Sequence, residues 1–444
     1  MSVERTALAG RHPPHRHAGL IVLDQPFTWR WMAAFGAAAL VVLLFGAVFV
    51  HLMVRGTGIW GTNIPYVWAF DITLYVYWIG VANAASLLSA VLVLRGTQWR
   101  SATNRAAEAV ALFAVICAGL FPIVHLGRPW LFYWVFPYPA TFGVWPQFRS
   151  PLVWDFFAIN AHLIVTALFW YVGMIPDLAH LRDHERAGRR SRLAFGLLAL
   201  GWRGSARQWR LHRSAYHLLA GLVVVLVIFM QSTASFEFAV TVVPEWHQTR
   251  LPPYFVVSGL MSGLALVLGV LLLMERFLVL HPMLAQRPRE VIGWLLVANG
   301  IVMLWAYGFD AYSSWYSGPT QREAFVARVT GAFAPLYWGA LLCTAGASQL
   351  LWVPRIRHNA AALLAVALAI SAGLWLDRFM VVVGGLYHTH LPSARGSYTP
   401  TLPEIGLLVG SLGLFAMLIL LFVRFVPVIF LFEAQAEHRR EEEP

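Results

Sequence analysis

The chain has 444 residues, of which 59% are hydrophobic and 12% charged, about half the ~25% charged content of soluble globular chains. Its mean hydropathy of +0.65 excludes a water-soluble fold, because a soluble domain of this size still needs a charged surface. The net charge of +11 comes from 32 arginines without a lysine; in a membrane chain that excess reports topology rather than a nucleic-acid partner.

Residues 1–30 carry Arg5, Arg11, Arg16 and Arg30, with no short apolar core before a small-residue cleavage site, so they read as a retained polar tail and not as a secretory signal. Apolar runs near the ~20 residues that cross a bilayer as a helix follow at 31–54, 67–94, 105–125, 153–175, 214–239, 254–279, 290–313, 332–353, 360–383 and 404–430, ahead of a polar tail at 431–444. They predict an all-α integral membrane protein with ten transmembrane helices, since transmembrane strands would be ~10 residues long and alternating. Segments on the N-terminal side hold 23 arginines and those on the other side seven, which predicts that both termini are cytoplasmic.

The connection 176–213 has nine arginines and the run LAFGLLALGWRGSARQWRLHR. It reads as an interfacial segment on anionic headgroups, with a solvated basic loop as the alternative. On the far side, 126–152 is rich in aromatics and prolines; such a loop packs in the membrane interface or under a partner. The two cysteines, Cys117 and Cys343, lie in apolar runs. They cannot ligate a four-cysteine iron–sulfur cluster or form a disulfide framework, and read as buried small hydrophobes.

Ionisable groups inside spans are costly and mark candidate sites. At ~1.5 Å of rise per residue, Asp71, His125, Asp155, Glu237 and Asp310 fall at one level, the outer third of the membrane. Each could also be a helix-end group reaching the interface, and Asp155 a first-turn carboxylate favoured by the helix dipole. His125 and Asp155 flank one loop on consecutive antiparallel helices, so they are expected to face each other. A histidine with a carboxylate partner exchanges a proton with a bound hydroxyl near neutral pH. Deeper lie Asn83, His162, Gln231 and the neighbours Asp377 and Arg378, which point ~100° apart on a helix and need partners elsewhere. These groups read as a proton path or as hydrogen bonding between helices. Among His51, His125, His162, His217 and His281, only His162 is near mid-membrane and no helix offers two at haem spacing, which predicts no haem.

From Trp78 to Asp183, WIGVANAASLLSAVL, NRAAEAVALFAVICAGLFPIVHLGRPWLFYWVFPYP, WPQFRSPLVWDFFAIN and WYVGMIPDLAHLRD resemble the NrfD/polysulfide-reductase-type membrane subunits, most closely those of bacterial alternative complex III. GWRGSARQW, PEWHQTRLPPYFV and YTPTLPEIG extend the similarity over most of 60–425. The resemblance implies two four-helix bundles, spans two to five (67–239) and six to nine (254–383), flanked by spans one and ten. It implies a site for quinol, menaquinol or ubiquinol, near the periplasmic face of the first bundle. The histidine of HLGRP, His125, and the aspartate of SPLVWD, Asp155, would handle its protons; by depth along the helices Asp71 and Glu237 fall at their level, and Arg128 reads as fixing the loop or a partner's docking, or as an interfacial anchor. Apart from the resemblance, the polar groups inside the spans mark a proton path through Asn83, His162, Gln231, Asp310 and Asp377. The implied partners are a periplasmic iron–sulfur subunit, monohaem and multihaem cytochrome c subunits, a second NrfD-like membrane subunit, small membrane subunits and lipid.

Three positions depart from the family pattern. Asn83 stands where GHAGT has its histidine, and Gln231 where a histidine precedes SFDFA, with Glu237 for the aspartate. Asparagine and glutamine hydrogen-bond but do not titrate. The leading expectation is a quinol-oxidising subunit of a respiratory or photosynthetic complex. The competing ones are a non-catalytic paralogue acting as scaffold, and a secondary transporter, which the lack of matched Gly/Pro-broken spans weakens.

Overall fold

The computed structural model describes residues 27–97, 100–135, 151–184, 187–278, 286–388, 393 and 395–428. Most of the expected N-terminal tail, the 431–444 tail, the middle of the aromatic loop and His281 lie outside the described residues.

In chain order the principal helices are α1 (Trp29–Arg55), α2 (Phe70–Arg95), α3 (Arg100–His125), α4 (Pro151–Asp183), α5 (Arg189–Leu198), α6 (Ala206–Ala239), α7 (Leu251–Leu278), α8 (Gln286–Tyr316), α9 (Pro319–Thr330), α10 (Ala334–Leu341), α11 (Ala360–Val382) and α12 (Leu402–Phe425). Caps fix where several begin. Ser205 and Gln208 form a reciprocal capping box at α6, and Thr401 and Glu404 another at α12, satisfying first-turn amides that the helix itself cannot. Among the described residues nine helices are long and apolar enough to cross a membrane, and they are ten if a pair bent by 82°, Pro319–Thr330 and Ala334–Trp352, crosses as one broken span.

Two connections differ from their sequence reading. Residues 314–331, expected as a loop, contain α9. It stops where the Gly331 N–H bonds back to Ala327 at 2.8 Å, and Pro335 opens the first turn of α10, where a missing amide costs nothing. The apolar run then continues through a π-helical turn at Leu342–Gly346. The basic connection 176–213 is mostly helical, because α4 runs on to Asp183 and α6 begins at Ala206. Between them α5 exposes Arg189, Arg190 and Arg192 beside Leu193 and Leu197, and Tyr171 ties it to α4 by donating to Leu198 O at 2.7 Å.

Helices α2, α3, α4 and α6 pack into one closed ring, and α7, α8, α11 and the run from α10 on to Trp352 into another; α1 and α12 pair outside them. The rings meet where α2 lies on α7. Gly80 faces Gly259 there, and a Cβ added to Gly263 would sit 2.4 Å from that of Ala84. Small residues let membrane helices approach this closely. Burial follows: 89% of the most apolar stretch of α2 is buried, against 17% in α1. Side chains from both rings form one continuous core.

The arginine asymmetry carries a test of orientation. Single cysteines placed in 126–152 are expected to react with an impermeant thiol reagent from the periplasm, and those in 187–204 only after the membrane is opened. The reverse pattern would invert the topology.

Candidate functional site

One end of the first ring gathers titratable side chains that are far apart in the chain. Asp71 is in the first turn of α2, where the helix dipole favours a carboxylate. Tyr75 follows one turn on. His125 is the last residue of α3, Asp155 lies in the opening turns of α4 and Glu237 in the closing turn of α6. Asp71, Asp155 and Glu237 are buried and His125 is partly exposed.

His125 Nδ1 bonds Asp71 Oδ2 at 2.7 Å. Asp155 Oδ1 accepts from the Tyr75 hydroxyl at 2.5 Å, and the Glu237 carboxyl lies within hydrogen-bonding reach of Asp155. His125 and Asp155 are electrostatic neighbours, but the hydrogen-bonded partner of His125 is Asp71, not the Asp155 that the antiparallel argument put opposite it. Depth along a helix sets the level of a residue and not the direction in which it points.

The arrangement has specific chemical capacities. With Nδ1 held by Asp71, His125 Nε2 has no hydrogen-bond partner among the described residues and is the ring nitrogen left to address a ligand. A carboxylate only accepts hydrogen bonds, so the contact of Asp155 with Glu237 is bonding when a proton lies between them. Glu237 Oε1 is buried without a partner among the described residues. Trp68 walls the site, meeting the His125 ring edge-on at 6.5 Å and stacking on Trp246 at 5.2 Å. Arg128, just beyond, is exposed and makes no side-chain hydrogen bond among the described residues.

Below this cluster the first ring stays polar. Ser86 Oγ lies 3.3 Å from His162 Nε2, while His162 Nδ1, both polar atoms of Asn83, Thr166 Oγ1 and Gln231 Nε2 are buried with no hydrogen-bond partner among the described residues. At the far end of the ring, sequence reasoning missed a second cluster. Arg105 bonds Asp177 at 2.6 Å and lies 3.5 Å from Glu108. Asn104 bonds Glu108 at 3.1 Å and Tyr216 at 2.9 Å, and Tyr216 donates to Glu108. The signal available was Arg105 and Glu108 at i,i+3, obscured because the apolar run of the third span starts at the arginine.

Asp310 shares the expected level but belongs to the second ring, ion-paired with Arg250 and with Arg328. Asp377 accepts there from Tyr254 and from Tyr307, the latter at 2.8 Å; Arg378 donates to Ser258 and lies over the Phe255 ring. On the loop between α6 and α7, burial pushes the Glu245 carboxyl above the usual range, against the pull of Arg328. Among the described residues no group of three His, Cys, Asp or Glu side chains is placed to hold a metal ion.

Comparison with known proteins agrees with this architecture. The chain is 24% identical over 426 residues, 86% of its length and 90% of the relative's, to a protein of Halobacterium salinarum described as a putative membrane subunit of dimethyl sulfoxide reductase. It is 26% identical over 209 residues, 45% of its length and 47% of the relative's, to a selenate reductase subunit of Mesobacillus selenatarsenatis. The family model of polysulphide reductase, NrfD, matches residues 59–389, and the chain, a multi-span helical membrane protein, belongs to that family.

Proposed function

We propose that the chain is the quinol-binding membrane subunit of an oxidoreductase complex, with both termini in the cytoplasm and the His125 end at the periplasmic face. The observation that carries the reading is the Asp71–His125 pair, with its bare Nε2 beside the Tyr75–Asp155–Glu237 cluster. Oxidising a quinol removes two protons and two electrons, so the site needs two proton acceptors and an electron exit. His125 Nε2 takes the proton of one hydroxyl, while Asp71 fixes the imidazole tautomer and steadies the imidazolium that forms, a division of labour shared with other carboxylate–histidine pairs. The Asp155–Glu237 pair takes the second. The electrons leave to an iron–sulfur subunit docked over Arg128.

The buried atoms of Asn83, His162, Thr166 and Gln231 that lack partners support a hydrated path through the first ring toward Glu108, because such atoms are normally satisfied by internal water. Asn83 and Gln231 do not titrate, so protons would pass them on water. The relatives named for dimethyl sulfoxide and selenate reduction favour a partner that delivers electrons to a terminal reductase. The resemblance to alternative complex III favours cytochrome c subunits instead. In both, this chain oxidises quinol.

A photoreactive quinone added to the intact complex is expected to label the His125 end of α2, α3 or α4, with labelling lost in His125→Ala and kept in Arg128→Ala. Labelling confined to another subunit would reduce this chain to a scaffold.

A further inference from the structure

The second ring holds a small cavity of about 40 Å³, lined among others by Arg250, Tyr254, Tyr307, Asp310, Arg328 and Asp377. That is room for roughly two or three water molecules and far below the ~300–1,000 Å³ of pockets for organic ligands, so a quinone ring does not fit. The chemistry around it is unfinished. Tyr254 and Tyr307 both donate to Asp377 Oδ1. The other oxygen, Oδ2, has no hydrogen-bond partner among the described residues, although Asp377 is only 3% exposed.

The charged neighbour of that oxygen is Arg378 Nη1, at 3.9 Å, and Arg378 is engaged by Ser258 through Nη2. Across the cavity, Arg328 holds Glu245 at 3.0 Å and Asp310 at 2.6 Å, yet its Nε is buried and bare among the described residues. Asp377 and Arg328, which both line this small void, thus each carry a buried polar atom without a partner among the described residues, and such atoms are normally satisfied by internal water.

We propose that this cavity is a hydrated proton-exchange site, in which water hydrogen-bonded to Asp377 Oδ2 transfers a proton to and from the carboxyl group. The step is balanced as carboxylate plus hydronium giving carboxylic acid plus water, and needs no redox partner. Facing Asp377 are Tyr254 on α7, Tyr307 and Asp310 on α8, Arg328 on α9, Tyr337 on α10, Arg378 on α11, and Glu245 and Arg250 on the α6–α7 loop. Arg250 and Arg328 are offset by Asp310 and Glu245, which leaves Arg378 as the cation facing Asp377.

The exchange does not rest on the quinol reading, although the two sites share a wall. Trp246 follows Glu245, donates to Val381 O at 2.6 Å and stacks on the Trp68 that meets His125. Its seat depends on Gly385, where a Cβ would come within 2.2 Å of the indole nitrogen.

The test is infrared difference spectroscopy of the intact complex across a pH step, in H₂O and in D₂O, without quinol. A carboxylic C=O band is expected to grow as pH falls, to shift in D₂O and to vanish in Asp377→Asn, while Asp155→Asn retains it. Tyr254→Phe and Tyr307→Phe each remove one hydrogen bond to the carboxyl and are expected to move the band without abolishing it. A spectrum unchanged by Asp377→Asn overturns the proposal. If that variant does not assemble, a spectrum unchanged by both tyrosine substitutions overturns it equally. Loss of quinol oxidation in Asp155→Asn with the band intact would separate the two sites.

Discussion

Replacing His125 with alanine is expected to lower quinol oxidation by about 10²–10⁴-fold, the usual contribution of a general acid–base group, in a complex that still assembles. The imidazole is partly exposed and its one hydrogen bond goes to Asp71, so little packing is lost with it. Asp71→Asn is expected to fall in the same range, because an amide can present its N–H to Nδ1 and hold the wrong tautomer. The double variant should be little worse than either single one, since residues acting as a unit are not additive. Asp155→Asn is expected to lose turnover as well, by removing one member of the second proton acceptor. Near-normal turnover in the His125 and Asp155 variants, with assembly verified, would move the quinol chemistry to another subunit.

The largest expected effect on stability lies at the opposite end of the same ring. Arg105 is fully buried between Asp177 and Glu108 and also donates to Gly173 O at 3.2 Å. Arg105→Leu removes the cation shared by two buried carboxyl groups, and breaking a buried pair from one side typically costs ~3–5 kcal/mol. The expected result is a marked fall in assembled protein and in unfolding temperature. Arg105→Leu combined with Asp177→Leu should recover part of the loss, because a pair replaced by apolar groups leaves less uncompensated charge. Arg207→Gln, on an exposed arginine of α6, should change stability by no more than ~0.5 kcal/mol. Equal behaviour of Arg105→Leu and Arg207→Gln would mean that the buried network contributes nothing.

The spans were legible because a bilayer demands long apolar runs and arginine counts keep their order honest. The helix α9 was not: its residues, PTQREAFVARVT, are too polar to register as a span and too short to show a face. The level of Asp71, His125, Asp155 and Glu237 could be read from helix rise alone, and the structure gathers those four. Their pairing could not, because a rotation of a few tens of degrees about α2 or α3 exchanges one carboxylate for another as the partner of His125. Tyr75 escaped notice since a phenol in an aromatic-rich run carries no charge signal, although its place four residues after Asp71 puts both on one face. Arg105 and Asp177 escaped for another reason: both sit where the apolar runs end, so their charges read as facing water. The second-ring cluster required the fold, as Glu245, Asp310, Arg328 and Asp377 come from four separate segments.

The burial of α2 on nearly all sides sets a schedule for assembly. α2 leaves the ribosome early, but α7, against which Gly80 and Ala84 pack, begins at Leu251. At ~5–20 residues per second of synthesis, the wait from Phe70 to Leu251 lasts roughly 10–40 s. Through that interval the flank of α2 that carries Gly80 and Ala84 faces lipid or the insertion machinery, while Asp71 and Ser86 already have their partners His125 and His162 on helices made earlier. The first ring therefore has one uncovered flank until the second is under way, and a nascent chain halted between α6 and α7 presents that small-residue face of α2 to whatever chaperone or protease reaches it first.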